Sequence, residues 1–367
     1  MDSIINLVDM SYIYIPYREG SLNINNGDYL YKEDLIINNN KRMFSPVSGN
    51  VLGLTTINNR KYIVIENDYK EKTSKRFGTK KYINKYSREE LLELINEYNV
   101  IDNFDISSKV LIVSGLDPYV DEITYSTLIK EYTIEILDTI DALIDIMGIK
   151  KCFFAVNSSD SELVDLLLNN MGTYPKIDLK LFNNNHYISN KSFLVNKLTS
   201  YRNKKYNQQY LDILDIMNLY HVLKKNRYNA ETFITLGGDL LEQKYVLKVK
   251  IGTNIKDILD KYKIGYDNVI INGLLNGIHL KDVNYIIDRN IRSIFINKIN
   301  KEKEYDCINC GMCNDVCPVN INPKYMYFNK DEKAKKYKKE CINCGVCSYL
   351  CPSKINLNKG VRNDKKW

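Results

Sequence analysis

Eight of the nine cysteines lie between residues 307 and 351, in two nearly identical blocks, CINCGMCNDVCPVN and CINCGVCSYLCPSK. Cys307, Cys310, Cys313 and Cys317 stand at the spacing C-x2-C-x2-C-x3-C, and Cys341, Cys344, Cys347 and Cys351 repeat it. Each run ends on a proline, Pro318 or Pro352. A disulfide scaffold would spread its cysteines through a small secreted chain. Here they are packed into two short stretches, which points to metal ligation. Zinc takes four ligands, usually from two C-x2-C pairs with a longer gap between them. Three cysteines in register plus a fourth before proline, twice over, is the spacing that iron–sulfur cubanes require.

In the bacterial ferredoxin form of this run, the fourth cysteine ligates the other cluster. The expected ligands of one [4Fe–4S] cluster are therefore Cys307, Cys310, Cys313 and Cys351. Those of the second are Cys341, Cys344, Cys347 and Cys317. Gly311 and Gly345 suit a tight backbone turn where a side chain would crowd the sulfides. Ile308, Val316, Ile342 and Val346 are expected to pack around the cubanes and limit solvent. The ninth cysteine, Cys152, sits in the apolar stretch KKCFFAV and reads as an inert buried strand residue.

With 367 residues the chain is too long for a single core and implies several domains. No stretch approaches the roughly 18 uninterrupted apolar residues of a membrane span. The start, MDSIINLVDMSYIYIPYREG, lacks the basic region and cleavage site of a signal peptide. A cytoplasmic chain is expected, with membrane contact at most peripheral, at the inner face. The net charge of +7 is partly local, in KDEKAKKYKKE at 330–340 and in the tail NKGVRNDKKW. Such runs read first as solvated faces and second as a docking patch for an acidic partner or anionic surface. Nucleic acid is not expected as a partner. The 29 tyrosines accompany abundant Asn, Ile and Lys, a compositional drift that carries no function.

Ahead of the cassettes the pattern changes twice. Residues 1–75 alternate polar and apolar positions in IYIPY, DYLYKEDLII, VLGLTTI and KYIVIEN, with a structural turn at Ser45-Pro46-Val47-Ser48-Gly49. Residues 76–230 alternate helices and strands, which argues a parallel α/β sheet. SREELLELINEY opens with Ser87 as N-cap and Glu90 completing a capping box. TYSTLIKEYTIEILDTIDALIDIMG is predicted as one long amphipathic helix, and LDILDIMNLYHVLKKN as another. Residues 231–298 read as strand, strand, helix, strand, a small α+β unit with an N-cap region at Gly252-Thr253. Residues 299–367 carry the cassettes. The expected fold class is thus multidomain α/β and α+β.

Taken together, the segments resemble the RnfC family, a component of Rnf-type ferredoxin–NAD oxidoreductase complexes. The resemblance rests on IPYREG, NGDYLYKEDLI and SPVSGNV, on LIVSGLDPYVDEI, on FITLGGDL and KVKIGTNIKDIL, and on the two cassettes followed by KINL. It implies a barrel-sandwich hybrid, a Rossmann-like α/β domain, an SLBB β-grasp and a dicluster ferredoxin-like domain. The RnfC-like protein of proline reductase clusters shares that plan. Family members that bind FMN and NADH carry a glycine-rich loop, GxGGAGFPT, whose bare amides approach the phosphate. Here the corresponding place, LINEYNVIDNFDISSKVLIV, holds no glycine. The family motif ECEPY stands as LDPY, Leu116 to Tyr119. FMN and NAD are therefore not expected, and no catalytic or nucleotide site is carried over. Asp117 and Asp121 read as ordinary loop residues, and the isolated His186, His221 and His279 do not suggest a metal site.

The functional expectation is an electron-transfer subunit, more a non-catalytic component of an oxidoreductase complex than an enzyme. Its two [4Fe–4S] clusters would relay electrons between redox proteins: a flavoenzyme or ferredoxin on one side, a reductase or Rnf-type membrane complex on the other. Two alternatives come from other classes. One is an FMN/NADH-dependent oxidoreductase subunit with a redesigned phosphate site. The other is an SLBB ligand-binding or assembly protein whose clusters are structural.

Overall fold

The computed structural model describes residues 4–5, 9–17, 24–37, 42–74, 81–183, 187–199, 207–298 and 303–358. Among them, the N-terminal strands are β1 (Ile4–Ile5), β2 (Tyr12–Pro16), β3 (Tyr29–Leu30), β4 (Leu35–Ile37), β5 (Met43–Phe44), β6 (Gly49–Ile57) and β7 (Arg60–Asn67). A sheet of order β2-β7-β6-β3 is antiparallel throughout. Period-two patterning sends Ile13 and Ile15 of β2, Val51 of β6, and Ile63 and Ile65 of β7 into one core with Ile36, Ile37 and Val47. β6 turns into β7 through Asn58 and Asn59, both at positive φ, the two-residue hairpin that asparagine tolerates. The DYLYKEDLII stretch, expected as one strand, is divided between β3 and β4 by a turn in which Glu33 takes a φ of 72°.

The next unit runs α1 (Arg88–Tyr98), β8 (Val110–Ser114), α2 (Thr124–Glu131), α3 (Thr133–Met147), β9 (Lys151–Asn157), α4 (Ser161–Met171), β10 (Ile177–Phe182), α5 (Lys191–Leu198), β11 (Gln208–Asp212) and α6 (Ile213–Lys225). Its sheet, of order β10-β9-β8-β11, is wholly parallel. The Ser87–Glu90 capping box forms as its spacing dictates. The single helix predicted across 124–147 is instead two. It breaks at Tyr132 (φ −121°, ψ 37°), where the Thr133 hydroxyl donates back to the Ile129 carbonyl at 2.6 Å. The break is a local backbone departure at one residue, which periodicity cannot report. β11 and α5 have no clear signal in the sequence pattern. Both are short pieces in an Asn- and Lys-rich stretch with few buried apolar side chains.

A third sheet comprises β12 (Glu231–Gly237), β13 (Tyr245–Lys250), β14 (Asn268–Ile271), β15 (Ile278–His279) and β16 (Ser293–Asn297), with α7 (Ile255–Lys261) packed on it. Its order is β1-β13-β12-β16-β14-β15, so the N-terminal β1 pairs in parallel with β13, far from its neighbours in sequence. The cap of α7 is Asn254, whose side chain accepts from the Lys256 amide at 3.0 Å, rather than Gly252-Thr253. Gly252 has another task. Its φ is +96°, and a Cβ there would lie 2.8 Å from the Tyr14 carbonyl oxygen, so glycine lets the first unit close onto the third.

Among its described residues the last segment holds only short helices: α8 (Met312–Asp315), α9 (Pro323–Phe328), α10 (Glu332–Glu340) and α11 (Val346–Tyr349). Its apolar clusters are small, Cys317 with Ile321 and Met326, and Cys347 with Ile355 and Leu357. A core of that size needs covalent or metal staples. Among the described residues no helix is long and apolar enough to cross a membrane.

Candidate metal centre

Both cassettes turn in the same way. In the first, Asn309 and Gly311 take φ of 58° and 80°; in the second, Asn343 and Gly345 take 55° and 84°. Asn and Gly are the residues that enter the left-handed region most readily, so the shared INCG string folds each set of three cysteines around a hollow. α8 and α11 follow the turns, and each carries its chain to the fourth cysteine and its proline.

Two cavities result. One is lined by Cys341, Cys344 and Cys347 together with Cys317 of the other cassette. The second is lined by Cys307, Cys310 and Cys313 together with Cys351. They contain about 330 Å³ and 660 Å³ of atom-free space, part of it open to solvent. Each brings together four soft thiols, the donor set that iron–sulfur clusters take. Among the described residues no three His, Cys, Asp or Glu side chains converge on one point as the ligands of a single ion do.

The electrostatics suit ligands that lose their protons only on binding. Burial pushes the Cys347 thiol up to about 12, with repulsion from Cys344, Cys341 and Cys317 adding to it. Burial also raises Cys344 and Cys313. In the second cassette the Asn343 amide donates to the Cys341 sulfur at 3.3 Å. Asn358, which no cysteine spacing singles out, lines the same cavity. The Cys347 thiol donates to its Oδ1 at 3.3 Å, and its buried Nδ2 has no partner. An unsatisfied N–H at such a place is what a thiolate or sulfide would accept.

The apolar neighbours differ from expectation. Val316 and Ile342 do line a cavity, and Ile308 lines the other, but Ile308 is 66% exposed and shields little. Val346 lines neither cavity. The buried packing comes from Ile321, Met326, Ile355 and Leu357, which follow the prolines. Gly311 and Gly345 are required by their φ; a Cβ on Gly311 would meet nothing within 4 Å.

A second polar cluster lies at the carboxyl edge of the parallel sheet, between β8 and β11, where open α/β sheets commonly receive ligands. Here it is occupied by the chain itself. Tyr125 donates to Asp212 at 2.7 Å, and Arg292, arriving from the third unit, pairs with Asp212 at 3.0 Å. Asp117 accepts the Tyr125 and Ser126 amides at 2.6 and 3.3 Å and so caps α2; burial lifts its carboxyl to about 6. Asp121 pairs with Lys244 at 2.7 Å. Both aspartates thus have partners within the chain. Glu122, within LIVSGLDPYVDEI, and Asp215 and Arg292 stand out by no spacing of their own, because only tertiary packing buries them together.

Cys152 is 2% exposed on β9, and burial raises its thiol. Burial lowers His221 to about 4, and the exposed His279 faces Asn268 at 3.1 Å. His186 lies outside the described residues.

The family described as "4Fe-4S dicluster domain" matches residues 306–355. Over 356 residues the chain is 26% identical to the RnfC component of the ion-translocating oxidoreductase complex of Buchnera aphidicola subsp. Baizongia pistaciae, covering 85% of this chain and 68% of that protein. Over 296 residues it is 25% identical to the same component from Buchnera aphidicola subsp. Acyrthosiphon pisum, covering 72% and 62%. A crystal structure of an NAD+-reducing [NiFe]-hydrogenase in the H2-reduced state is similar to 59% of this chain and 47% of its own, with a TM-score of 0.47 and 9% identity. The chain is RnfC-like: it is similar over most of its length to the RnfC components of ion-translocating oxidoreductase complexes and carries a 4Fe-4S dicluster domain at residues 306–355.

Proposed function

We propose that this chain is an iron–sulfur electron-transfer subunit of an oxidoreductase complex of the Rnf type. The observation that carries it is the pair of cavities, each lined by three cysteines of one cassette and the fourth of the other. Cys307, Cys310, Cys313 and Cys351 hold one cluster; Cys341, Cys344, Cys347 and Cys317 hold the second. When bound, two [4Fe–4S] clusters supply one-electron carriage without proton transfer. The chain's own residues supply the thiolates, exclude part of the solvent and direct N–H groups at sulfur.

In this reading residues 1–75 are a barrel-sandwich hybrid, 76–230 a Rossmann-like domain, 231–298 an SLBB β-grasp and 299–367 the ferredoxin-like domain. The partners are redox proteins, and the first three units are the scaffold that docks them. The Rossmann-like crevice is not a flavin or nicotinamide site. Its supports are the missing glycine loop and the crevice packed with Tyr125, Asp212 and Arg292.

The test is anaerobic reduction of the reconstituted chain with a low-potential donor, followed by mixing with an oxidised one-electron carrier protein. Fast cluster reoxidation with stoichiometric carrier reduction is expected. Clusters that cannot be reduced, or that exchange no electrons with any protein carrier, would leave them structural.

A further inference from the structure

The two cassettes share the string CINCG, yet they stand in different surroundings. Ile308, Asn309, Cys310, Met312 and Asn314 are exposed, while their counterparts Ile342, Asn343, Cys344, Val346 and Ser348 are half-buried. The cause is contact with the body of the chain. Asn276 donates to the Asn343 carbonyl at 2.7 Å, Asn190 to that of Ile342 at 3.5 Å, and Leu275 packs on Gly345. One cluster site is therefore inboard and the other outboard.

A second difference falls at matched positions. Seven residues after the fourth cysteine of each cassette, Cys317 or Cys351, stand Lys324 and Asn358. The frame holds locally, because Asn320 and Lys354, three residues past the same cysteines, take φ of 54° and 56°. Lys324 lines the outboard cavity. Its ammonium bonds Asn309 Oδ1, which in turn lies 3.9 Å from the Cys307 sulfur. Asn358 lines the inboard cavity and offers a neutral amide.

Resting on the ligand sets proposed above, we infer that the clusters are unequal. The outboard one, on Cys307, Cys310, Cys313 and Cys351, is the easier to reduce, and Lys324 and Asn358 tune the two separately. Reduction adds one negative charge to a cluster that is already anionic. Solvent and a nearby cation stabilise that charge; burial beside a neutral amide stabilises it less. Asn358 still helps its own cluster. Once Cys347 is a thiolate it has no proton to give Oδ1, and a turn of the amide presents Nδ2 to the sulfur instead. Electron transfer then runs downhill from the inboard cluster, which loses one electron, to the outboard one, which gains it.

The test is a potentiometric titration of the full, anaerobically reconstituted chain followed by electron paramagnetic resonance. Cys317→Ser and Cys351→Ser assign the two signals. The parent should show two separate midpoints, the outboard one higher. Lys324→Gln should lower the outboard cluster's reduced-to-oxidised ratio at fixed potential by about tenfold, which is 59 mV for one electron. Lys324→Arg should restore it, and Asn358→Leu should lower only the inboard midpoint. An inboard cluster that reduces first, or a Lys324→Gln variant with both midpoints unmoved, overturns the inference while leaving the cluster ligation standing. A chain without iron and sulfide overturns both.

Discussion

A Cβ on Gly345 would stand 2.8 Å from the carbonyl oxygen of Leu275. The second cassette thus touches the hairpin after β14 so closely that only glycine fits, whereas at Gly311 the same substitution meets open space. Both residues hold a left-handed φ, so alanine at either should cost about 1–2 kcal/mol. Gly345→Ala must in addition displace backbone. It should therefore lower the melting temperature of the cluster-loaded chain clearly more than Gly311→Ala. Equal losses would mean that the cassette does not bear on the body of the chain.

Anaerobically purified protein should contain about eight iron and about eight acid-labile sulfide per chain, as two cubanes require. Metal and sulfide analysis checks this. Stoichiometric zinc with little sulfide would refute it.

The mixed lining of the cavities sets the outcome of two cysteine variants. Cys317→Ser should chiefly damage the cluster held by Cys341, Cys344 and Cys347, and Cys351→Ser the one held by Cys307, Cys310 and Cys313. Resonance spectra that assign each loss to the variant's own cassette would contradict the crossing.

Reconstituted protein should retain no FMN through gel filtration and should not bleach with NADH alone. Phosphate binding of that kind draws on several bare backbone amides. At the end of α1 the chain instead buries Tyr98 and, beyond it, Val100, and Arg289 donates to the Asn99 and Val100 carbonyls at 3.4 and 3.2 Å. Forgoing two or three charge-assisted bonds of roughly 1.5–3 kcal/mol each lowers affinity by several powers of ten. One tightly held FMN per chain would restore the oxidoreductase alternative.

His221 on α6 offers a pH test. Burial, then Lys225, lowers its pKa from 6.5 to about 4, so the unfolded chain binds the proton more tightly than the folded one. Its neutral form supports the fold fully above about pH 6.5, and that support is lost as pH falls towards 4, at most about 3 kcal/mol. Asp215 and Asp117, raised to about 7 and about 6, act with the opposite sign in the same range. The readout is therefore the difference from the parent. His221→Gln should lose less stability than the parent in urea unfolding between pH 6.5 and 4, and parallel curves would contradict the assignment.

The cysteine spacing alone determined the chemistry. Three ligands and a proline-bounded fourth lie within eleven residues, and such a local pattern needs no tertiary knowledge to read. The Ser87 capping box and the period-two strands of the first unit were legible for the same reason: their partners are three or two residues away. The break at Tyr132 was not, since one residue off helical φ/ψ leaves the apolar period on either side of it unchanged. Nor could sequence place β1 beside β13, a pairing across some 240 residues. Above all, CINCG and CINCG are the same string. Only the packing of Leu275, Asn276 and Asn190 against one of them half-buries it and leaves the other at the surface. Ligand identity is a property of neighbours along the chain, but solvent, charge and hydrogen bonding at a cluster are properties of neighbours in space.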